Sequence, residues 1–364
     1  MKRIMAVYDV DPFYADRFAE FVNRKETVPF TAVAFTSIGR LKQFAEQQEV
    51  ELLLAGDEVE AEELKDIRAG QVIRLGETNA AREGGRSVYK YQASDSVLRE
   101  VMACYQSQEP VAAFFPAAGK RSQVIGVYSP VGRCGKTAFA FTLAQVLARE
   151  GRALFLTLEE FSGLSGLTGT EFQNGLSDLL YYYRQGLYSH LRLGSMVYSW
   201  GDLDYVPPVA YPEDLEQVTG AEMAGLVEKI AGEGAYGTVV VDLGNFFWGA
   251  EMVLAICDGI FVPVKEDMIS EGKLDAWRQY LERSGRGRLW QRTRMIKVPE
   301  EAMACTRETY LEQLLWSRTG DFARGQAGFS QEYRPGAGQG SAQDLGHGPL
   351  WETGLEKAPW EGTS

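Results

Sequence analysis

The chain has 364 residues, 45% of them apolar, and a formal net charge of −13 at neutral pH. That length suggests about two or three domains with real cores. The acidic balance argues against a general nucleic-acid binder, and no apolar run reaches the roughly 18–20 residues of a membrane span.

From the N-terminus, Asp9 and Asp11 interrupt the apolar start too soon for a signal peptide. Residues 4–8 read as a strand, and residues 13–24 carry Tyr14, Phe18, Phe21 and Val22 at helical spacing. Residues 30–35 form a second strand, and Ile38, Leu41 and Phe44 mark a second helix. Residues 50–55 are a continuous apolar run, the pattern of a strand covered on both faces. Two more strands follow at 72–75 and 88–91, then a helix striped by Val97, Leu98, Val101, Met102 and Tyr105. Five strands alternating with helices predict a small doubly wound, flavodoxin-like sheet over residues 1–107. Residues 108–122, with Pro110 and Pro116, read as a linker.

Residues 123–323 read as a second α/β domain. Residues 124–128 form an apolar strand, and the turn Ser129-Pro130-Val131-Gly132-Arg133-Cys134 follows. Gly135-Lys136-Thr137 then opens a helical segment that begins with Ala138. Strand, loop, Gly-Lys-Thr and helix is the order of a P-loop, although Pro130 stands where the full pattern has glycine. Loop N–H groups and the positive helix start attract a phosphate chain. Lys136 is expected to reach the β- and γ-phosphates of ATP, with the Thr137 hydroxyl on Mg²⁺. The cradle comprises Gly132, Arg133, Cys134, Gly135, Lys136, Thr137 and Ala138.

Residues 153–158 are the next strand, followed by Tyr205-Val206 ahead of two prolines. Thr219 and Glu222 fit a capping box. The run Val239-Val-Val-Asp242 delivers a carboxylate to a strand end, the Walker B arrangement of a metal-holding acid. Residues 259–264 and 294–298 are further strands, with a helix at 270–283 between them. From 324 to 364, Gly, Gln, Ser and Pro dominate, and the segment reads as a disordered tail. The four cysteines lie far apart without a CxxC step, which argues for a cytosolic chain without disulfides or zinc. The two histidines make a histidine-based catalytic centre improbable.

Two resemblances rest on these residues. The first half resembles the receiver domain of response regulators: Asp9 and Asp11 match its metal-binding acids and Lys90 its active lysine. The phosphoacceptor position falls on Gly56, with Asp57 one residue late, which implies a degenerate receiver used for protein contacts. The second half resembles the MinD/ParA class of deviant Walker A ATPases. In that class a Lys-Gly-Gly-x-Gly-Lys-Thr loop sends its first lysine across a dimer; here that lysine is Val131 and the second glycine is Arg133. The resemblance assigns Glu159 to orient the attacking water and Asp242 to the metal.

The fusion is similar to the TadZ/CpaE family of pilus assembly proteins, on Val88-Tyr-Lys-Tyr-Gln92, Leu158-Glu-Glu-Phe-Ser-Gly163, Gly175-Leu-Ser-Asp-Leu-Leu180 and Tyr205-Val-Pro-Pro208. It implies a cytoplasmic, focal or polar homodimer that binds ATP, hydrolyses it slowly if at all, and recruits a Flp/type IVb pilus secretion ATPase or pilus assembly components. No specific nucleic acid is implied, and membrane contact is unsupported. The alternatives are a partition or positioning ATPase of the ParA/MinD type and a P-loop tyrosine kinase, the latter prompted by Tyr181-Tyr-Tyr183. An apolar setting (Leu179, Leu180, Leu187) favours packing as the role of those tyrosines.

Overall fold

The structure is a computed structural model that describes residues 3–25, 28–77, 87–106, 121–245, 249–300 and 305–332. The first part alternates β1 (Arg3–Tyr8), α1 (Pro12–Arg24), β2 (Phe30–Phe35), α2 (Ile38–Gln47), β3 (Val50–Gly56), α3 (Ala61–Lys65), β4 (Ala69–Gly76), β5 (Ser87–Tyr89) and α4 (Ser94–Gln106). The five strands pair in parallel in the order β2-β1-β3-β4-β5. Strands β1 and β3 are central, which is why both read as continuous apolar runs. Leu52 and Leu54 point into one helix layer with Phe18 and Val101, while Leu53 points into the other with Leu41. Asp11 caps α1 by accepting from the Phe13 N–H at 2.9 Å, so this acid serves the helix start.

The second part runs β6 (Gln123–Val127), α5 (Lys136–Glu150), β7 (Ala153–Thr157), α6 (Leu164–Thr168), α7 (Leu176–Arg184), α8 (His190–Met196), β8 (Tyr198–Trp200), β9 (Leu203–Val206), α9 (Glu213–Glu216) and α10 (Gly220–Gly232). It continues through β10 (Thr238–Asp242), α11 (Ala250–Ile256), β11 (Gly259–Pro263), α12 (Met268–Arg283), α13 (Gly287–Gln291), β12 (Thr293–Ile296), α14 (Arg307–Trp316) and α15 (Arg318–Glu332). The sheet order is β12-β11-β6-β10-β7-β9-β8, parallel except for the β8–β9 pair. Both faces are covered. Leu154 and Leu156 join the α7–α10–α12 layer, and Phe155 joins α5 and α14. Burying a large apolar side chain contributes roughly 1.5–3 kcal/mol, so Phe139, Phe141 and Phe155, each at most 1% exposed, hold α5 firmly to the sheet.

Three readings change. The edge strand β8, three residues long, is too short to carry an alternation signal. The segment from 324 continues as helix to Glu332, with Ala323 and Ala327 buried against α5, because small residues let two helices approach closely. The rest of the expected tail and nearly all of the expected linker lie outside the described residues. Within Tyr181–Tyr183, Tyr182 and Tyr183 pack on the core, whereas Tyr181 is exposed.

The two sheets meet through α4 and α8. The Lys25 ammonium lies 3.4 Å from both Asp95 and Asp204, and the Arg99 guanidinium sits 3.5 Å from the centroid of the Tyr198 ring. No described helix is long and apolar enough to cross a membrane.

Candidate functional site

The C-terminal ends of β6, β7 and β10 converge, and each supplies one part of a charged cluster. Register places Asp242, the last residue of β10, beside Val127 of β6 and Thr157 of β7. β6 leads into the loop, which is braced from beneath. The Ser129 hydroxyl donates to the Pro263 carbonyl at 2.6 Å and accepts from the Val131 N–H at 3.0 Å. The Cys134 thiol turns inward to the Val131 carbonyl at 3.1 Å, so its side chain is part of this brace. Gly135 has φ of +77°, and a side chain there would press on Val298 at 3.0 Å, so glycine is required at this turn. Gly132 faces open space. Arg133 is the one described non-glycine residue with positive φ, at 55°. A side chain therefore sits in left-handed backbone where glycine would be unstrained.

α5 begins at Lys136, so the N–H groups of its first turn have no intrahelical acceptor and point out toward the loop. Lys136 is 8% exposed. Its Nζ donates to Asp242 Oδ1 at 3.0 Å and also to Glu159. Asp242 is fully buried and also takes a hydrogen bond from the hydroxyl of Thr157, at 3.4 Å. Burial works to lower the Lys136 pKa, but the two carboxylates outweigh it and hold the group above its ordinary value. Burial also pushes the Asp242 carboxyl up, against the pull of Lys136. The ammonium is thus charged and shared between two acids.

These residues fit a magnesium nucleotide. The loop gives an open cradle at Gly132, the start of α5 gives free N–H groups, and Lys136 gives a buried cation. Among the described residues no group of three or more His, Cys, Asp or Glu side chains could hold a metal unaided. A metal beside Thr137 and Asp242 would therefore complete its shell with phosphate oxygens and water. Of the residues singled out in the sequence, Lys136, Thr137, Glu159 and Asp242 come together. Arg133 lies outside the cluster and is exposed.

The first sheet holds a second charged cluster at the ends of β1, β3 and β4. Lys90 Nζ lies 3.1 Å from Asp9 Oδ2, 2.9 Å from Glu58 Oε1 and 3.0 Å from Glu77 Oε1. Asp9 is fully buried, and Lys90 is 3% exposed. Burial opposes the charge on Lys90, yet Glu58, Glu77 and Asp9 together raise its pKa. Asp9 and Lys90, both singled out in the sequence, come together. Sequence reading missed Glu58: a side chain built on Gly56 would collide with Glu58 Oε2 and come within 3.2 Å of Asp9 Oδ2. Glu58 stands in a turn two residues beyond the strand, and no strand-end rule points to it.

No protein-family model and no curated protein matches this chain. Solved structures similar to it include a ParA family ATPase from Chlorobium tepidum TLS, 16% identical, which covers 57% of this chain and 98% of its own, with a TM-score of 0.47. A plasmid partition protein from Borrelia burgdorferi B31 bound to AMPPNP is 13% identical, over 58% of this chain and 95% of its own, with a TM-score of 0.41. A cobyrinic acid a,c-diamide synthase from Mycobacterium smegmatis with bound ADP and magnesium is 12% identical, over 57% and 93%, with a TM-score of 0.41.

Proposed function

We propose that residues 123–332 form an ATP- and Mg²⁺-binding switch of the MinD/ParA type, and that residues 1–106 are a flavodoxin-like, receiver-like module for protein contacts. The observation that carries the first part is the buried Lys136 ammonium at the start of α5, 3.0 Å from the Asp242 carboxylate. The strand order 2-1-3-4-5, all parallel, supports the second.

Bound magnesium would supply charge neutralisation at the phosphates. This chain's own part is to bind and orient. Lys136 exchanges a carboxylate partner for a phosphate oxygen, and the loop N–H groups hold the chain of phosphates. Thr137 and Asp242 would hold the metal. Glu159, released from Lys136, becomes available to orient water. An exchange of partners at Lys136 changes the ends of β7 and β10 together, so nucleotide occupancy is coupled to the surface around them. Exposed Phe161, Met268 and Ile269 follow β7 and β11 on this edge and suit a homodimer contact that the nucleotide would control.

The general reading is a positioning or partition ATPase with weak hydrolysis. The narrower one, recruitment of a Flp/type IVb pilus secretion ATPase at a cytoplasmic focus, is supported by the family resemblance of the quoted segments. Calorimetry of wild type and Lys136→Ala with ATP and Mg²⁺ tests the switch. A charge-assisted contact is worth about 1.5–3 kcal/mol, so affinity should fall by roughly one to two decades. Equal affinities would overturn the nucleotide reading. Co-purification of the full chain with a pilus secretion ATPase tests the narrower reading separately.

A further inference from the structure

β12 is the edge strand of the second sheet, and among the described residues β11 is the one strand it pairs with. Thr293, Arg294 and Met295 are half-buried, whereas every residue of the central strands β6 and β10 is buried. The Ile296 carbonyl accepts from the Val264 N–H at 2.8 Å, on the β11 side. Main-chain groups alternate in direction along a strand, so the N–H and C=O of Thr293 and Met295 turn away from the sheet. An edge of this kind is a template for another strand. Its charge is unusual for this chain. Residues 283–294 hold five arginines and no acid, against a net charge of −13 overall. Arg283 donates to the Gln279 side chain at 3.4 Å and Arg292 to the Ala255 carbonyl at 3.1 Å, both neutral acceptors. Arg288 is exposed on α13, the short helix that leads into β12. Among the described residues, no carboxylate pairs with Arg283, Arg288 or Arg292.

We propose that β12 is a docking edge for an extended acidic segment of a partner protein, which adds as a further strand and lays its carboxylates against Arg288 and Arg292. Main-chain pairing at Thr293 and Met295 sets the register and supplies affinity that is blind to sequence. The arginines set the sign of the partner, because a guanidinium forks onto a carboxylate with two hydrogen bonds. Charge at an edge commonly guards it against pairing. Guarding works with either sign, whereas a run of one sign also selects a partner of the opposite sign. The same run excludes a second copy of this edge, since two β12 strands brought together would set arginine against arginine.

Hydrogen–deuterium exchange on the full chain with short synthetic peptides tests this. An excess of an alternating glutamate–valine peptide should slow exchange of residues 292–297 by about tenfold, and leave the β6 and β10 amides unchanged. The lysine–valine counterpart should give no protection. Nor should the glutamate–valine peptide N-methylated at every second amide, which keeps the charge and loses the pairing groups. Arg288→Glu, at an exposed position, should weaken binding of the acidic peptide by about tenfold. Met295→Pro, which removes one outward N–H from an edge strand, should abolish it. No protection by the acidic peptide overturns the proposal. Equal protection by the N-methylated peptide, by a DNA duplex or by anionic vesicles also overturns it, because each would show a general polyanion surface with no strand added. Protection without peptide that disappears on dilution would show a second copy on the edge and overturn it as well.

Discussion

The carboxylate of Glu58 stands where a side chain on Gly56 would begin, with Asp9 and Lys90 beside it. The space of a strand-end acid is filled from a turn two residues on. Gly56→Asp should therefore destabilise the chain by about 1–3 kcal/mol, through collision and a fourth carboxylate beside Asp9, Glu58 and Glu77. Glu58→Ala should remove both causes, so the double variant should be more stable than the sum of the single changes by at least about 1 kcal/mol. Denaturant unfolding measures all three, and strict additivity would refute the shared-space reading. Intact mass after exposure to a small phosphodonor should show no added phosphate on wild type.

Lys136 pairs with two acids, one of them fully buried. Lys136→Met should cost about 3–5 kcal/mol, because a buried carboxylate is left unpaired. Adding Asp242→Asn should recover much of it. The folded pKa of Lys136 is raised, so its stabilising contribution is fully present below the unfolded value near 10.5 and is lost as pH rises through the higher folded value. Thermal melts of wild type should fall in that alkaline window, and those of Lys136→Met should fall less.

Arg133 holds φ of 55° in a loop where glycine would be unstrained. Arg133→Gly should stabilise the chain by about 1 kcal/mol, whereas Arg133→Ala should leave the strain in place. If Arg133→Gly instead lowers the melting temperature, the guanidinium makes a contact worth more than the strain. Sedimentation with ADP and with a non-hydrolysable ATP analogue then reports whether that contact lies in a dimer.

Glu222 closes the capping box of α10, accepting from the Thr219 N–H at 2.9 Å, and pairs with Arg184. Arg184 first, then Thr219, hold its pKa down at about 2. A depressed carboxyl contributes stability above its unfolded value of 4.5 and loses it as pH falls toward about 2. Glu222→Gln should cost about 1 kcal/mol at pH 7 and close to nothing near pH 2. A deficit that persists at low pH would point to packing instead of charge.

Deleting residues 325–364 should lower the melting temperature, since α15 continues to Glu332 and Ala327 is buried. An unchanged melting temperature would show that the last two turns of α15 hold nothing in place.

Strand positions, the P-loop and the acid at the end of β10 were legible in the sequence because each is a local signal. Apolar runs mark strands covered on both faces, Gly-Lys-Thr marks a helix start after a strand, and Asp242 ends a β-former run. The capping box at Thr219 and Glu222 was legible for the same reason. What only the tertiary structure decided depends on residues far apart in the chain. Strand pairing brings Lys136, Glu159 and Asp242 to one point across 106 residues. The turn after β3 folds Glu58 back into the space above Gly56, and no spacing rule encodes that return. α15 reads as a polar, glycine-bearing tail because its partner face on α5 needs small residues, and small residues carry no apolar stripe.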